Sequence, residues 1–80
     1  MKQQEILGRL QEIVTPYLEN PCKIVMETDL RKDLALNSVD FVNIVMEIDD
    51  AFQCTMEYEQ IFEIHLMKDL VQYIINLSYG

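Results

Sequence analysis

The sequence predicts an all-α domain: a small four-helix bundle of three longer helices and one short helix, with a long first connection. Three observations carry this. Apolar residues recur three and four positions apart in separate segments of the chain, the period of an amphipathic helix. No run alternates apolar and polar residues in the manner of a convincing strand. Only two Gly and two Pro punctuate 80 residues, half of them apolar, which is a globular composition and not a disordered one. The chain reads as one domain, 1–80, with no internal repeat or low-complexity tract. A domain of this size buries roughly 60–65% of its unfolded surface.

The first helix is set by Ile6, Leu7, Leu10, Ile13, Val14 and Tyr17, and should cover residues 3–15. Pro16 makes Thr15 its boundary, because a residue before proline is pushed out of the α region. Residues 18–37 then form a long connection. Ile24, Val25, Met26, Leu30, Leu34 and Leu36 should anchor it on the core, and a structureless connection of that length is usually functional. The second helix should run from residue 38 or 39 to residue 52. Asn37 or Ser38 can act as its N-cap, with Asp40 in the first turn where the helix dipole favours an anion. A short helix is expected over 57–62. The last helix, over 66–76, is marked by Leu66, Met67, Leu70, Val71, Ile74 and Leu77.

Fourteen acids stand against six bases, a net charge of -8. Nucleic acids and anionic membranes would repel such a chain. Partners with basic surfaces would be attracted. Between residues 33 and 67 there are eight Asp or Glu and no Lys or Arg, either a solvated acidic face or a docking surface. Cys22 and Cys54 are far apart and read as reduced thiols of a cytoplasmic protein. With one His they do not supply a zinc site. No apolar run is long enough to span a bilayer, and Met1-Lys2-Gln3-Gln4-Glu5 lacks the apolar core of a secretion signal.

The second helix carries two apolar stripes. Phe41, Ile44, Val45, Ile48 and Phe52 have the spacing of a core face. Val39, Val42 and Met46 form another, lying among Asp40, Asn43, Glu47, Asp49 and Asp50. The second stripe is either a wide core face or a small apolar hot spot with an acidic rim. Its position directly after Ser38 favours the latter, with Asn37 at its edge.

Ser38 lies in the run Asp33-Leu34-Ala35-Leu36-Asn37-Ser38-Val39-Asp40-Phe41, where a polar loop gives way to a helix. Taken alone, such a serine is most often a cap. No His, Lys or Cys stands beside it to activate it as a nucleophile. His65 is placed near a helix start by its sequence position, and nothing sets it against Ser38. Asp49 and Asp50 point to different sides of a helix, which excludes them as a paired acid and base or as a metal site.

The run resembles the prosthetic-group site of the acyl carrier proteins, Asp-Leu-Gly-x-Asp-Ser-Leu-Asp. Asp33, Leu34, Ser38 and Asp40 match it. Val45-Met46, Ile48, Asp49-Asp50, Phe52, Glu59, Ile64 and Tyr73-Ile74 fall at the expected spacings over residues 30–77. The resemblance implies that Ser38 bears 4'-phosphopantetheine, derived from coenzyme A, through a phosphodiester. A helix N-terminus suits that anion. It implies a non-catalytic, monomeric carrier of acyl thioesters for fatty-acid, polyketide or related biosynthesis. Its partners would be a phosphopantetheinyl transferase and acyl-loading or acyl-transferring enzymes, recognised through the second helix.

An acyl chain could also fold back between the helices, lined by Leu30, Val45, Ile48, Met56, Ile61, Ile64 and Leu70. Carriers of long chains tend to have small residues where Ile61 and Leu70 stand, so a short or external cargo is expected. Three positions depart from the pattern: Ala35 replaces Gly, Asn37 replaces Asp and Val39 replaces Leu. Asn43 also stands where acids are common. An aminoacyl or peptidyl carrier is the near alternative, although the two glycines usual in that motif are absent. An unmodified interaction module with the same fold is the more distant one.

Overall fold

The computed structural model describes residues 3–79. Four helices are connected in the order α1 (Gln3–Val14), α2 (Ser38–Phe52), α3 (Tyr58–Phe62) and α4 (Met67–Tyr79), with a 3-10 turn at Thr15–Tyr17 following α1. Among the described residues there is no strand. One isolated antiparallel bridge pairs Asp29 with Leu66. The all-α expectation and the order of elements agree with this. The opening Met1-Lys2, weighed above as the start of a leader, lies outside the described residues.

The apolar spacing maps onto one core. Ile6, Leu10 and Val14 enter it from α1; Ile44, Val45, Ile48 and Phe52 from α2; Ile61 from α3; Met67, Leu70, Val71 and Ile74 from α4. The bulk of the stabilisation comes from this burial, at about 25 cal/mol per Å² of apolar surface. Proline did not simply end α1. It sits in the 3-10 turn, and Tyr17 at the far end of that turn donates its hydroxyl to a Glu47 carboxylate oxygen on α2.

The long connection is held, not loose. Ile24, Leu30 and Leu34 are buried, Met26 and Leu36 pack partly against the core, and Val25 points outward. Val25 is therefore no anchor: the turn at its carbonyl, which accepts the Thr28 N–H at 3.0 Å, directs it to solvent. One side chain of α1 does much of the tying. Gln11 Nε2 donates to the Cys22 carbonyl at 3.0 Å, and Gln11 Oε1 accepts the Ile24 N–H at 2.5 Å. Further along, the Leu30 N–H donates to the His65 carbonyl at 2.8 Å and the Met67 N–H to the Thr28 carbonyl at 2.8 Å. The connection is thus pinned to both ends of the chain before it reaches α2.

Two residues of the expected stripes behave differently. Phe41 is only half-buried; its ring stacks on Phe62 with centroids 6.0 Å apart. Leu77 is exposed near the end of α4. In both cases the helical period is right, but Phe41 meets only another partly exposed ring and Leu77 stays at the surface.

Candidate functional site

Ser38 is the first residue of α2 and is exposed. The residue before it, Asn37, is extended and caps the helix: Asn37 Oδ1 accepts the Asp40 N–H at 2.7 Å. Of the two candidate caps, Asn37 is the one used, which leaves the Ser38 hydroxyl without a capping duty. Helix geometry also leaves the N–H groups of Ser38 and Val39 with no intrahelical acceptor. The start of α2 therefore offers unpaired donors and the positive end of the dipole beside an exposed hydroxyl.

The loop before it is shaped by Asp29. Asp29 Oδ1 accepts the N–H groups of Arg31 and Lys32, each at 2.8 Å, and the Asp29 N–H donates to Asp33 Oδ2 at 2.7 Å. The bond from Lys32, then that from Arg31, holds the Asp29 carboxyl below the ordinary carboxylate range. A helical turn follows, closed by the Asp33 N–H on the Asp29 carbonyl and the Ala35 N–H on the Arg31 carbonyl. It stops at Ala35, whose φ of 50° lies in the left-handed region. That conformation suits glycine and costs an L-residue roughly 1–2 kcal/mol. The position is the Gly of the motif. The departure to Ala leaves the turn in place and adds strain.

Two hollows flank this loop. One, about 70 Å³, is lined by Ser38 with Leu30, Arg31, Leu36, Asn37, Phe41 and Phe62. The other, about 220 Å³, is walled by Tyr17, Leu18, Glu19, Asn20, Asp33, Leu34, Ala35, Asn37 and Asp40. The first is apolar with one cation; the second carries three carboxylates. Neither has a His or Cys in its wall, and the smaller one, which Ser38 lines, has no carboxylate either. His65 is exposed in the loop before α4. No metal-binding group of side chains occurs among the described residues.

Along α2, Val39 is 70% exposed and Met46 59% exposed, with Val42 between them half-buried. Val39 and Met46 are not part of a wide core face. The acids near them are not alike. Asp40 is half-buried in the first turn, Asn43 and Asp50 are exposed, and the Glu47 carboxylate accepts the Tyr17 hydroxyl. That bond, more than burial, raises the Tyr17 pKa. Asp49 turns inward: its Oδ1 accepts the Met56 N–H at 3.0 Å and lies 3.9 Å from Cys54 Sγ. Burial first, and the Asp49 carboxylate second, push the Cys54 thiol up, which makes it a poor nucleophile. Asp49 therefore has a structural duty that the spacing did not reveal.

Of the residues named for an internal acyl pocket, Leu30, Val45, Ile48, Met56, Ile61 and Leu70 are all buried, Ile61 completely. They pack against one another in the core. Leu30 alone also reaches the hollow beside Ser38, and Ile64 lines a separate surface groove between α3 and α4. Sequence reasoning missed Arg31, Phe41 and Phe62 as neighbours of Ser38. Phe62 is 49% exposed, an unusual place for a large aromatic, and no local spacing in the sequence marks it.

No helix among the described residues is long and apolar enough to cross a membrane. A family profile described as a phosphopantetheine attachment site matches residues 8–74. The chain is 30% identical over 76 residues to an acyl carrier protein of Rubrobacter xylanophilus, with 94% of each chain covered. It is 35% identical over 76 residues to one from Coprothermobacter proteolyticus, covering 95% of this chain and 89% of that one. A crystal structure of the acyl carrier protein of Thermotoga maritima superposes with a TM-score of 0.77 at 27% identity, covering 96% of this chain and 91% of that one. Proteins of this kind carry acyl groups on 4'-phosphopantetheine for biosynthetic enzymes and catalyse nothing themselves. The profile, the relatives and the shared fold together place this chain in the acyl carrier protein family.

Proposed function

We propose that Ser38 is the residue through which this chain carries 4'-phosphopantetheine. The observation that supports it best is the exposed Ser38 hydroxyl at the first turn of α2, freed from capping by Asn37. When bound, the group supplies a thiol on which acyl cargo travels as a thioester. The chain's own residues position it. The Ser38 and Val39 N–H groups face the anion. Asn37 keeps the cap while removing one carboxylate that would oppose a phosphodiester.

Partner enzymes dock on α2 in this reading. Val39, Val42 and Met46 give the apolar centre, and Asn37, Asp40, Asn43, Glu47 and Asp50 the polar rim, which steers basic surfaces and loses strength as salt is added. Asp49 contributes charge but is engaged internally. The tightly packed Ile61 and Leu70 support a short cargo or one held outside the core. The protein works as a monomer in the cytoplasm, in fatty-acid or polyketide-type synthesis.

The test is to express the chain with a broad-specificity phosphopantetheinyl transferase and coenzyme A and to weigh the intact protein. A phosphopantetheine mass increment that vanishes in Ser38→Ala is expected. An unmodified mass with several transferases would instead make the chain an interaction module.

A further inference from the structure

The groove between α3 and α4 involves neither Ser38 nor any other residue of α2, and it shares no wall with the two hollows beside that serine. It holds about 320 Å³, more than either of them. Ile64 and Tyr73 are its half-buried members. Tyr73 is fixed in place: its hydroxyl accepts the Glu57 N–H at 3.0 Å, which ties α4 to the start of α3.

The rim of the groove carries two exposed carboxylates, Glu63 and Asp69, and no base. Asp69 lies in the first turn of α4, where the helix dipole favours an anion. Glu63 stands at the C-terminal end of α3, where the dipole does not. No cation in the wall offsets it, so an incoming one meets an unopposed charge. The remaining wall is rich in amides: Gln60, Gln72 and Asn76. Gln72 Nε2 donates to Asn76 Oδ1 at 3.0 Å. An amide has one acceptor oxygen and two donor hydrogens, so this bond leaves the Gln72 oxygen to accept and the Asn76 nitrogen to donate. The two residues are one helical step of four apart, about 6 Å along the axis. An extended chain repeats every two residues, about 6.7 Å. A strand laid along α4 would therefore present its backbone groups nearly in register with these amides.

We infer that this groove is a docking site for a short extended segment of a partner protein, one that carries Lys or Arg side chains. The segment's backbone pairs with Gln72 and Asn76, its cations meet Glu63 and Asp69, and alternate side chains rest on Ile64 and Tyr73. A second copy of this chain does not suit the groove, because fourteen acids against six bases make two copies repel. A segment seated here meets no wall residue from α2, so the partner is held while Ser38 and the α2 face stay open to an enzyme. The inference goes beyond the attachment reading and does not require Ser38 to be loaded.

The test uses the full chain with Ser38 unmodified, so its failure leaves the attachment reading untouched. The probe is a short peptide of alternating Lys and Thr, acetylated and amidated at its ends, titrated at low salt into isotope-labelled protein and followed by NMR. The largest shifts should fall on the side-chain amides of Gln60, Gln72 and Asn76 and on the backbone around Glu63, Ile64 and Tyr73. Glu63→Gln and Asp69→Asn should each weaken binding about two- to fivefold, the range of one exposed ion pair. Glu12→Gln, which removes an exposed charge from α1, should change it far less. Equal weakening by all three would show a response to net charge alone and would overturn the inference. Shifts confined to α2 would overturn it by making α2 the face that basic segments use, and no shift at all would do the same. Equally tight binding of a peptide of alternating Glu and Thr would remove the charge argument and the inference with it. Shifts at the groove on concentrating the protein without peptide would give the site to a second copy instead.

Discussion

The two ends of α2 are built on opposite electrostatic principles. At the N-terminus, Asn37 caps the helix, Asp40 lies in the first turn, and an exposed hydroxyl meets the positive end of the dipole. At the C-terminus, Asp49 and Asp50 stand where the dipole is negative, no base occupies the last turn, and Gln53 takes a left-handed conformation at φ 53°. The first end follows every rule of helix stability; the second breaks two of them. Such a break persists where something else gains from it. Asp49 gains a local hydrogen bond, whereas Asp50 makes no such side-chain contact and is left to face solvent.

The sharpest way to break this comparison is to separate the two aspartates. Asp49→Ala leaves the partly buried Met56 N–H without its acceptor, and an unsatisfied donor costs about 1–3 kcal/mol, only slightly offset by relief of the dipole. Urea unfolding should show a lower midpoint with an unchanged slope, and Asp49→Asn, which keeps the oxygen, should restore most of it. Equal losses for Asp49→Ala and Asp50→Ala would mean that the two ends do not differ as described. At the other end, Asn37→Ala removes the cap and should cost about 1 kcal/mol. Asn37→Asp should retain stability, because its carboxylate accepts the same N–H.

How much of this was legible beforehand depends on the range of each interaction. The helices were readable because their signal is local: spacings of three and four, and Pro16 at a boundary. The register of α2 was readable to one residue for the same reason. The N-cap was narrowed to two neighbours, and only the observed Asn37–Asp40 bond chooses between them. Gln11, Asp49 and the Phe41–Phe62 stack were not legible. Each depends on a partner brought near by the tertiary fold, and nothing in the residue itself announces it. Ala35 is intermediate. Its motif position is usually Gly, which hinted at a special conformation, but the sign of φ emerged only with the turn that Asp29 organises.

Both ends of the α2 region contain a non-glycine residue at positive φ, which allows them to be compared directly. Ala35→Gly removes the left-handed cost but adds unfolded-state entropy, for a net gain of about 0.5 kcal/mol. Gln53→Gly should gain less, because Gln53 Nε2 donates to the Asp50 carbonyl at 2.7 Å and that bond is lost. Thermal unfolding that ranks them in the reverse order would show that the loop before Ser38 is unstrained.

The same loop should sense acid. Asp29 has its pKa lowered in the folded state, so its contribution to stability is present above the ordinary aspartate value and is lost as pH falls through the lowered one. Asp29→Asn removes that titration. Between neutral pH and pH 3, the wild type should lose stability relative to Asp29→Asn, on top of the general gain both receive as their net negative charge is neutralised. Parallel curves for the two would mean that the Arg31 and Lys32 N–H groups favour the carboxylate no more than water does.

The smallest effect is the most informative about what the acidic end is for. Asp50→Gln takes an exposed anion away from the negative end of α2 and should raise stability by a few tenths of a kcal/mol, a gain that shrinks in high salt. Stability alone would therefore favour its loss. If Asp50 serves docking, the same substitution should slow association with a basic partner enzyme such as the transferase, and the slowing too should fade as salt is added. A variant that is both more stable and equally fast to be loaded would show that Asp50 is merely tolerated. A more stable but more slowly loaded one would locate the compromise in a single carboxylate, at the end of α2 remote from Ser38.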